Sequence, residues 1–279
     1  MAPITSIENA AHGKKDGSDW FTSSPKPLEN AVELARNFLE PAIMQAIHEA
    51  CRDILGARPT VKNMNEAVAK AISIAEEVWS DLQSESPSYA CEKGCSWCCH
   101  QTVMVIAPEV LSVKAHIEDA FDALAIQAMR DRLVSRTAQI SGRTTPERQS
   151  EGISCGLLAD SACSVHPGRP LPCRGGFSVD AGFCQDLFQS FATVIADVEA
   201  GTREEPFLVV PKTLFNSGQV GLTKAFKDLG YECRPLELTA ALDIALSRPN
   251  IAEEWLVDES VFAAAELTNV DGHYVTNAS

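Results

Sequence analysis

The sequence predicts a mainly α protein whose helices frame a long, irregular, cysteine-rich segment. Three observations predict it. Apolar residues recur at helical spacing through most of the chain, and neither strand–helix alternation nor an internal repeat is visible. Residues 142–180, rich in Gly and Pro, carry no sustained period at all.

Taken in order, residues 1–26 are polar and rich in Ser, Gly, Lys and Pro, and read as a flexible arm. A single helical domain is expected over 27–262, with a cysteine-cluster core at 88–190. Its first helix fits 28–55, kinked or broken at Pro41 and stopped at Gly56, with Ile43, Ile47, Cys51 and Ile54 on one face. The next helix is expected to start at Asn63, with Asn63 and Glu66 as a capping box. Its core stripe is Met64, Val68, Ala71, Ala75, Val78 and Leu82.

An extended piece, "TVMVI", precedes Pro108, which opens a helix over 108–121, and a second helix fits 123–140. Further helices are expected from Cys184 (with Leu187, Phe188, Phe191, Val194 and Ile195 on its apolar face), over 212–229 and over 236–247. Residues 263–279 read as a flexible, fraying tail.

Composition narrows the functional classes. With 279 residues, 45% hydrophobic and 22% charged, the chain can bury a proper core as a soluble globular protein. Its formal net charge of −15 argues against nucleic acid and anionic membrane surfaces as partners. The longest apolar run, "VMVIA" at 103–107, is far short of a membrane helix. The opening "MAPITSIENAAHGKKDGSDW" lacks the apolar core of a secretory signal, so a cytoplasmic location is expected. Disulfides rarely persist there. The partner is expected to be an unidentified protein or small molecule.

That setting gives the ten cysteines meaning. Eight fall in two groups, Cys91, Cys95, Cys98 and Cys99, then Cys155, Cys163, Cys173 and Cys184. Clustered thiols in a reducing compartment bind metal or do redox work more often than they form staples. Thiolates suit zinc, iron–sulfur clusters and copper(I), and disfavour Mg2+ and Ca2+.

Neighbouring side chains diverge on a helix or a strand, so Cys98 and Cys99 are expected to serve two centres or one polynuclear cluster. Eight thiolates would saturate two tetrahedral sites. The irregular segment, with Cys155, Cys163 and Cys173 spaced along it, would be organised by the metal. Arg169 and Arg174 are candidates to offset thiolate charge, and Gly175–Gly176 to offer backbone N–H groups to sulfur. Cys51 and Cys233 are assigned to the core, and His100 and His166 to hydrogen-bonding or surface roles ahead of ligation.

"CEKGCSWC" shares the C-x3-C-x2-C spacing of radical S-adenosylmethionine enzymes. Here, however, a helix precedes it and no strand–helix units follow. The longer pattern resembles the YkgJ-type cysteine-cluster family: "CEKGCSWCC", then "VMVIAPEV", then the C-x-V-H-x-x-R-P-x-x-C-R run from Cys163 to Arg174. The matching residues are Cys91, Gly94, Cys95, Cys98, Cys99, Cys155, Cys163, Arg169, Pro170, Cys173 and Arg174, within 88–190.

That resemblance implies metal chelation, with a 4Fe–4S cluster first and zinc as the alternative or second metal. It implies no single reaction, and the role expected of such a centre is redox or protein-modifying. The two alternatives to that role are a non-catalytic structural zinc module and an S-adenosylmethionine-dependent enzyme. The latter draws on flagellin lysine methylases, which are similar in cysteine pattern.

Overall fold

The protein is mainly helical, as a computed structural model describes it over residues 35–92, 94–270, 273–276 and 278. The arm expected over 1–26 and the start of the first helix lie outside the described residues.

Helix α1 (Glu40–Leu55) follows a π turn at Ala35–Leu39. Pro41 therefore stands in the first turn of the α-helix, which needs no N–H from it, and the expected break falls beside it, where the π turn gives way to α-helix. Ile43, Ile47, Cys51 and Leu55 form its buried stripe, and Gly56 ends it at φ +62°.

Helix α2 (Val61–Gln83) starts two residues earlier than the sequence suggests, because the capping box is Thr60 with Asn63. The Asn63 N–H donates to the Thr60 hydroxyl at 3.3 Å, and the Thr60 N–H donates to Asn63 Oδ1 at 2.5 Å. Asn63 is thus spent backwards and cannot cap toward Glu66. Met64, Val68, Ala71 and Ala75 are buried as the periodicity predicts, with Trp79 extending the stripe.

Helices α3 (Ala107–Ala120), α4 (Ala123–Ile140) and α5 (Thr145–Ser150) come next. After the irregular segment come α6 (Ala181–Gln189), α7 (Phe191–Glu199), α8 (Val209–Lys227), α9 (Leu238–Ser247) and α10 (Ile251–Trp255). The helix expected from Cys184 is two, parted at Ser190.

The core is built on α1, α2 and α8, which pack on one another, while α3 and α4 both pack on α9. Close approach of α1 and α8 depends on Gly221: a Cβ there would lie 2.5 Å from the Met44 carbonyl oxygen.

Strands are short. Residues Met104–Val105 (β1) pair antiparallel with Leu236–Glu237 (β4), which brings the chain just after the first cysteine group to the start of α9. Within the irregular segment, Leu158–Ala159 (β2) and Ala162–Cys163 (β3) form a tight hairpin.

The C-terminal stretch is not a fraying tail. Leu267–Val270 (β5) and His273–Thr276 (β6) form an antiparallel pair that buries Leu267, Val275 and Thr276. The Gly142 N–H donates to the Thr276 carbonyl at 2.7 Å, which ties the hairpin down. Among the described residues no helix is long and apolar enough to cross a membrane.

Candidate metal centre

Three segments converge where the first cysteine group emerges from α2. Ring packing of Phe177 against Trp79 and Tyr89 anchors one of them. Phe177–Val179 then runs between Ala90 and Pro206–Leu208: Ala90 N–H donates to Ser178 O at 2.8 Å, and Val179 N–H to Pro206 O at 2.9 Å. This strip sets Ser178 beside Cys91, and the Ser178 N–H donates to Cys91 Sγ at 3.3 Å. Ser178 is therefore one backbone donor to sulfur, and Leu157 and Val165 serve Cys155 and Cys163 in the same way. In the expected pair Gly175–Gly176, the Gly176 carbonyl accepts from the Cys91 thiol at 4.0 Å. Gly175 instead packs directly under α8, where a Cβ would meet the Pro211 carbonyl oxygen at 3.0 Å.

Cys95 and Cys98 follow on a turn that ends as the 3-10 helix Trp97–His100. Helix α6 is clamped to this turn by Phe188, whose ring lies 5.4 Å from that of Trp97 and 4.4 Å from that of His100. Cys184, one turn before Phe188 on the same helical face, is thereby turned toward the first cysteine group. The fields of Cys91, Cys95 and Cys98 all act on the Cys184 thiol, while burial is the main reason it is pushed up to about 11. Cys95 and Cys98 likewise act on Cys91, which burial raises. Cys91, Cys95, Cys98 and Cys184 form an outer group.

The irregular segment returns to the same place. Cys155 N–H donates to the Cys99 carbonyl at 2.7 Å, fixing the two cysteines backbone to backbone. Gly156 lets this crossing pass α4: a Cβ would lie 2.7 Å from Leu133 Cδ2. The Thr239 hydroxyl, on α9, donates to Cys155 Sγ at 3.8 Å and accepts from the Gly156 N–H at 3.4 Å.

Cys98, Cys155 and Cys163 each act on Cys99, and Cys155, Cys98 and Cys163 on Cys173. Burial pushes Cys155 up to about 11 and Cys173 well above the usual thiol range. Cys99, Cys155, Cys163 and Cys173 form an inner group, with Cys98 between the two.

The neighbouring thiols Cys98 and Cys99 do not diverge as expected. The Cys99 thiol donates to Cys98, and this, helped by the Arg169 guanidinium, brings the Cys98 thiol down to about 7. Both cysteines sit in the 3-10 turn Trp97–His100, which leaves into extended backbone at Gln101.

Cys51 and Cys233 stand apart from all eight. The Cys51 thiol donates to the Ala67 carbonyl at 3.3 Å inside the α1–α2 core. Cys233 is buried, and its N–H donates to Glu259 at 3.0 Å.

The two arginines singled out in the sequence differ. Arg169 donates to His166 O at 3.1 Å and to Cys173 O at 3.2 Å, and its charge draws Cys98, Cys163 and Cys173 down. Every nitrogen of Arg174 is committed, to Arg169 O at 2.7 Å, to Pro167 O at 2.5 Å and to the Glu76 carboxylate, so it acts as a brace for the loop. His100 Nδ1 shares a hydrogen bond with the Trp97 carbonyl at 3.4 Å, in keeping with a hydrogen-bonding role.

Residues that sequence periodicity did not mark are Ser178, Thr239, Glu109 and the buried pair Arg148–Glu237. Only Glu109 carried a signal, standing directly after Pro108 in the first turn of a helix, where it is the third residue of α3.

The donor set is soft thiolate throughout, which fits zinc or an iron–sulfur cluster. Among the described residues no three His, Cys, Asp or Glu side chains already stand close enough to hold an ion, so a metal would have to draw each group in. Fold and site define a mainly helical protein with eight cysteines gathered in two adjoining groups. No protein-family model, curated protein or solved structure matches the chain.

Proposed function

We propose that this is a thiolate metal-binding protein of the YkgJ type, carrying a 4Fe–4S centre in a redox or protein-modifying role. One observation carries the reading. Cysteines spread from residue 91 to residue 184 lie within reach of one another's charge in two adjoining groups, while Cys51 and Cys233 stay in the core. A 4Fe–4S cluster held by four thiolates moves single electrons, and the sulfur-directed donors would tune it, Ser178 at the outer group or Thr239 at the inner one.

The chain's own part is to supply thiolates that burial otherwise keeps protonated, so loading releases protons. Cytoplasmic placement belongs to the same reading, because such thiols survive in a reducing compartment.

A structural zinc module is the second reading, favoured by arithmetic. The outer and inner groups number four thiols each, and each matches a closed tetrahedral site. Anaerobic purification with iron, zinc and acid-labile sulfide counted per chain decides. About four irons and matching sulfide per loaded group establish the cluster. Zinc without sulfide establishes the module, and neither metal above trace level removes both.

A further inference from the structure

One buried cation in the frame that holds Cys155 has part of its hydrogen-bonding capacity unspent. Arg148, on α5, is 1% exposed and pairs with Glu237, 2% exposed, at 2.7 Å through Nη1 alone. Among the described residues its Nε and Nη2 are buried and have no hydrogen-bond partner. Glu237 is fully engaged: its second oxygen accepts the Ala240 N–H at 2.9 Å and caps α9.

Two residues along from Glu237, Thr239 donates to Cys155. The Arg148 carbonyl accepts from the Ile153 N–H at 2.9 Å, in the turn that leads to Cys155. Arg148, Glu237, Thr239 and Cys155 are thus one connected frame, and the charge on Arg148 is felt at Cys155 and at His100.

A buried ion pair of this kind loses hydration on both partners, and unpaired guanidinium hydrogens add to the cost. An acceptor with negative charge would offset it. A divalent ion bound by four thiolates has a net negative charge, as does a 4Fe–4S cluster with four cysteines.

We propose that Arg148 is the buried counter-cation and N–H donor of the inner centre, formed by Cys99, Cys155, Cys163 and Cys173. This rests on the metal-binding reading above. Arg148 is a positioning residue: it acts through the thiolates and does not ligate. Arg174 already has a partner on each of its three nitrogens, and Arg169 spends two of its nitrogens on backbone carbonyls.

The test uses the full chain with Co2+ as probe, because thiolate-to-cobalt charge-transfer absorption reports thiolate ligation directly. Competition with a chelator gives the apparent Kd. Arg148→Gln should weaken binding about tenfold or more, the usual effect of losing an outer partner of a metal site.

That variant leaves Glu237 buried without its partner, so Arg148→Met with Glu237→Met is measured beside it. This double variant removes both charges and keeps the volume. It should fold and still bind weakly, while Arg148→Lys should recover much of the affinity. A double variant as tight as the unaltered chain, or Arg148→Lys as weak as the double variant, overturns the proposal. Absence of the thiolate band in the unaltered chain removes the metal reading itself, an outcome distinct from equal affinities among variants.

Discussion

The Glu109 carboxylate on α3 accepts the backbone N–H of Leu171 at 3.0 Å, across 62 residues of sequence. Its other oxygen accepts the Ile106 N–H at 3.1 Å and the Gln219 side-chain amide at 2.6 Å. A single buried acid thereby joins the start of α3, the middle of α8 and the turn that presents Cys173.

Burial outweighs those three donors and raises Glu109 from 4.5 to about 7. An acid whose folded pKa lies above its unfolded value binds its proton more tightly in the native state. Its contribution to stability is therefore present at low pH, declines as pH rises from about 4.5 to about 7, and is level beyond. The span corresponds to about 3 kcal/mol. Chemical denaturation at several pH values should show this slope in the unaltered chain and not in Glu109→Gln. Parallel slopes in the two would assign the pH dependence elsewhere.

At Gly221 the issue is space alone. A methyl group there would stand 2.5 Å from the Met44 carbonyl and 3.2 Å from the His48 nitrogen, both backbone and both unable to rotate away. Gly221→Ala must push α1 from α8 and should cost about 1–3 kcal/mol, outweighing the better helix propensity of Ala. The denaturant midpoint reports it, and a midpoint at or above that of the unaltered chain would contradict the packing.

The β2–β3 turn places Asp160 and Ser161 at φ +48° and +59°, the pair of left-handed residues that a type I′ turn requires. Ser161 is exposed and loses nothing by truncation. Ser161→Gly should stabilise the chain by about 0.5–1 kcal/mol, because glycine adopts this backbone without strain. Thermal unfolding reads the gain, and a lowered midpoint would mean that the greater freedom of glycine in the unfolded chain outweighs the relief.

Periodicity made the helices legible because each buries one continuous stripe, as Met64, Val68, Ala71 and Ala75 do on α2. Pro108 was legible for a local reason too, since only the first helical turn tolerates it. The closing pair of strands carries an Asp-Gly hairpin signal in "LTNVDGHYVT", but its four-residue strands do not alternate, so periodicity gives them no weight.

At the site, cysteine spacing separated the eight gathered thiols from Cys51 and Cys233. It did not reveal the grouping, which depends on Phe188 holding α6 against the Trp97–His100 turn. Nor did it reveal Arg148 and Glu237, which stand 89 residues apart in sequence and meet only in the fold.

Cysteine-to-alanine substitutions separate core from ligand. Cys51 is fully buried and makes one hydrogen bond, to Ala67 O, so Cys51→Ala should cost about 1–2 kcal/mol and leave metal content unchanged. Cys173→Ala should remove the metal of the inner group while the outer group keeps its own, and Cys95→Ala should do the reverse. Metal counted per purified chain, with an unfolding midpoint for each variant, checks all three. If Cys173→Ala and Cys95→Ala each strip the chain completely, Cys98 between the groups joins them into a single centre. If Cys51→Ala strips it, the division between gathered and core cysteines fails.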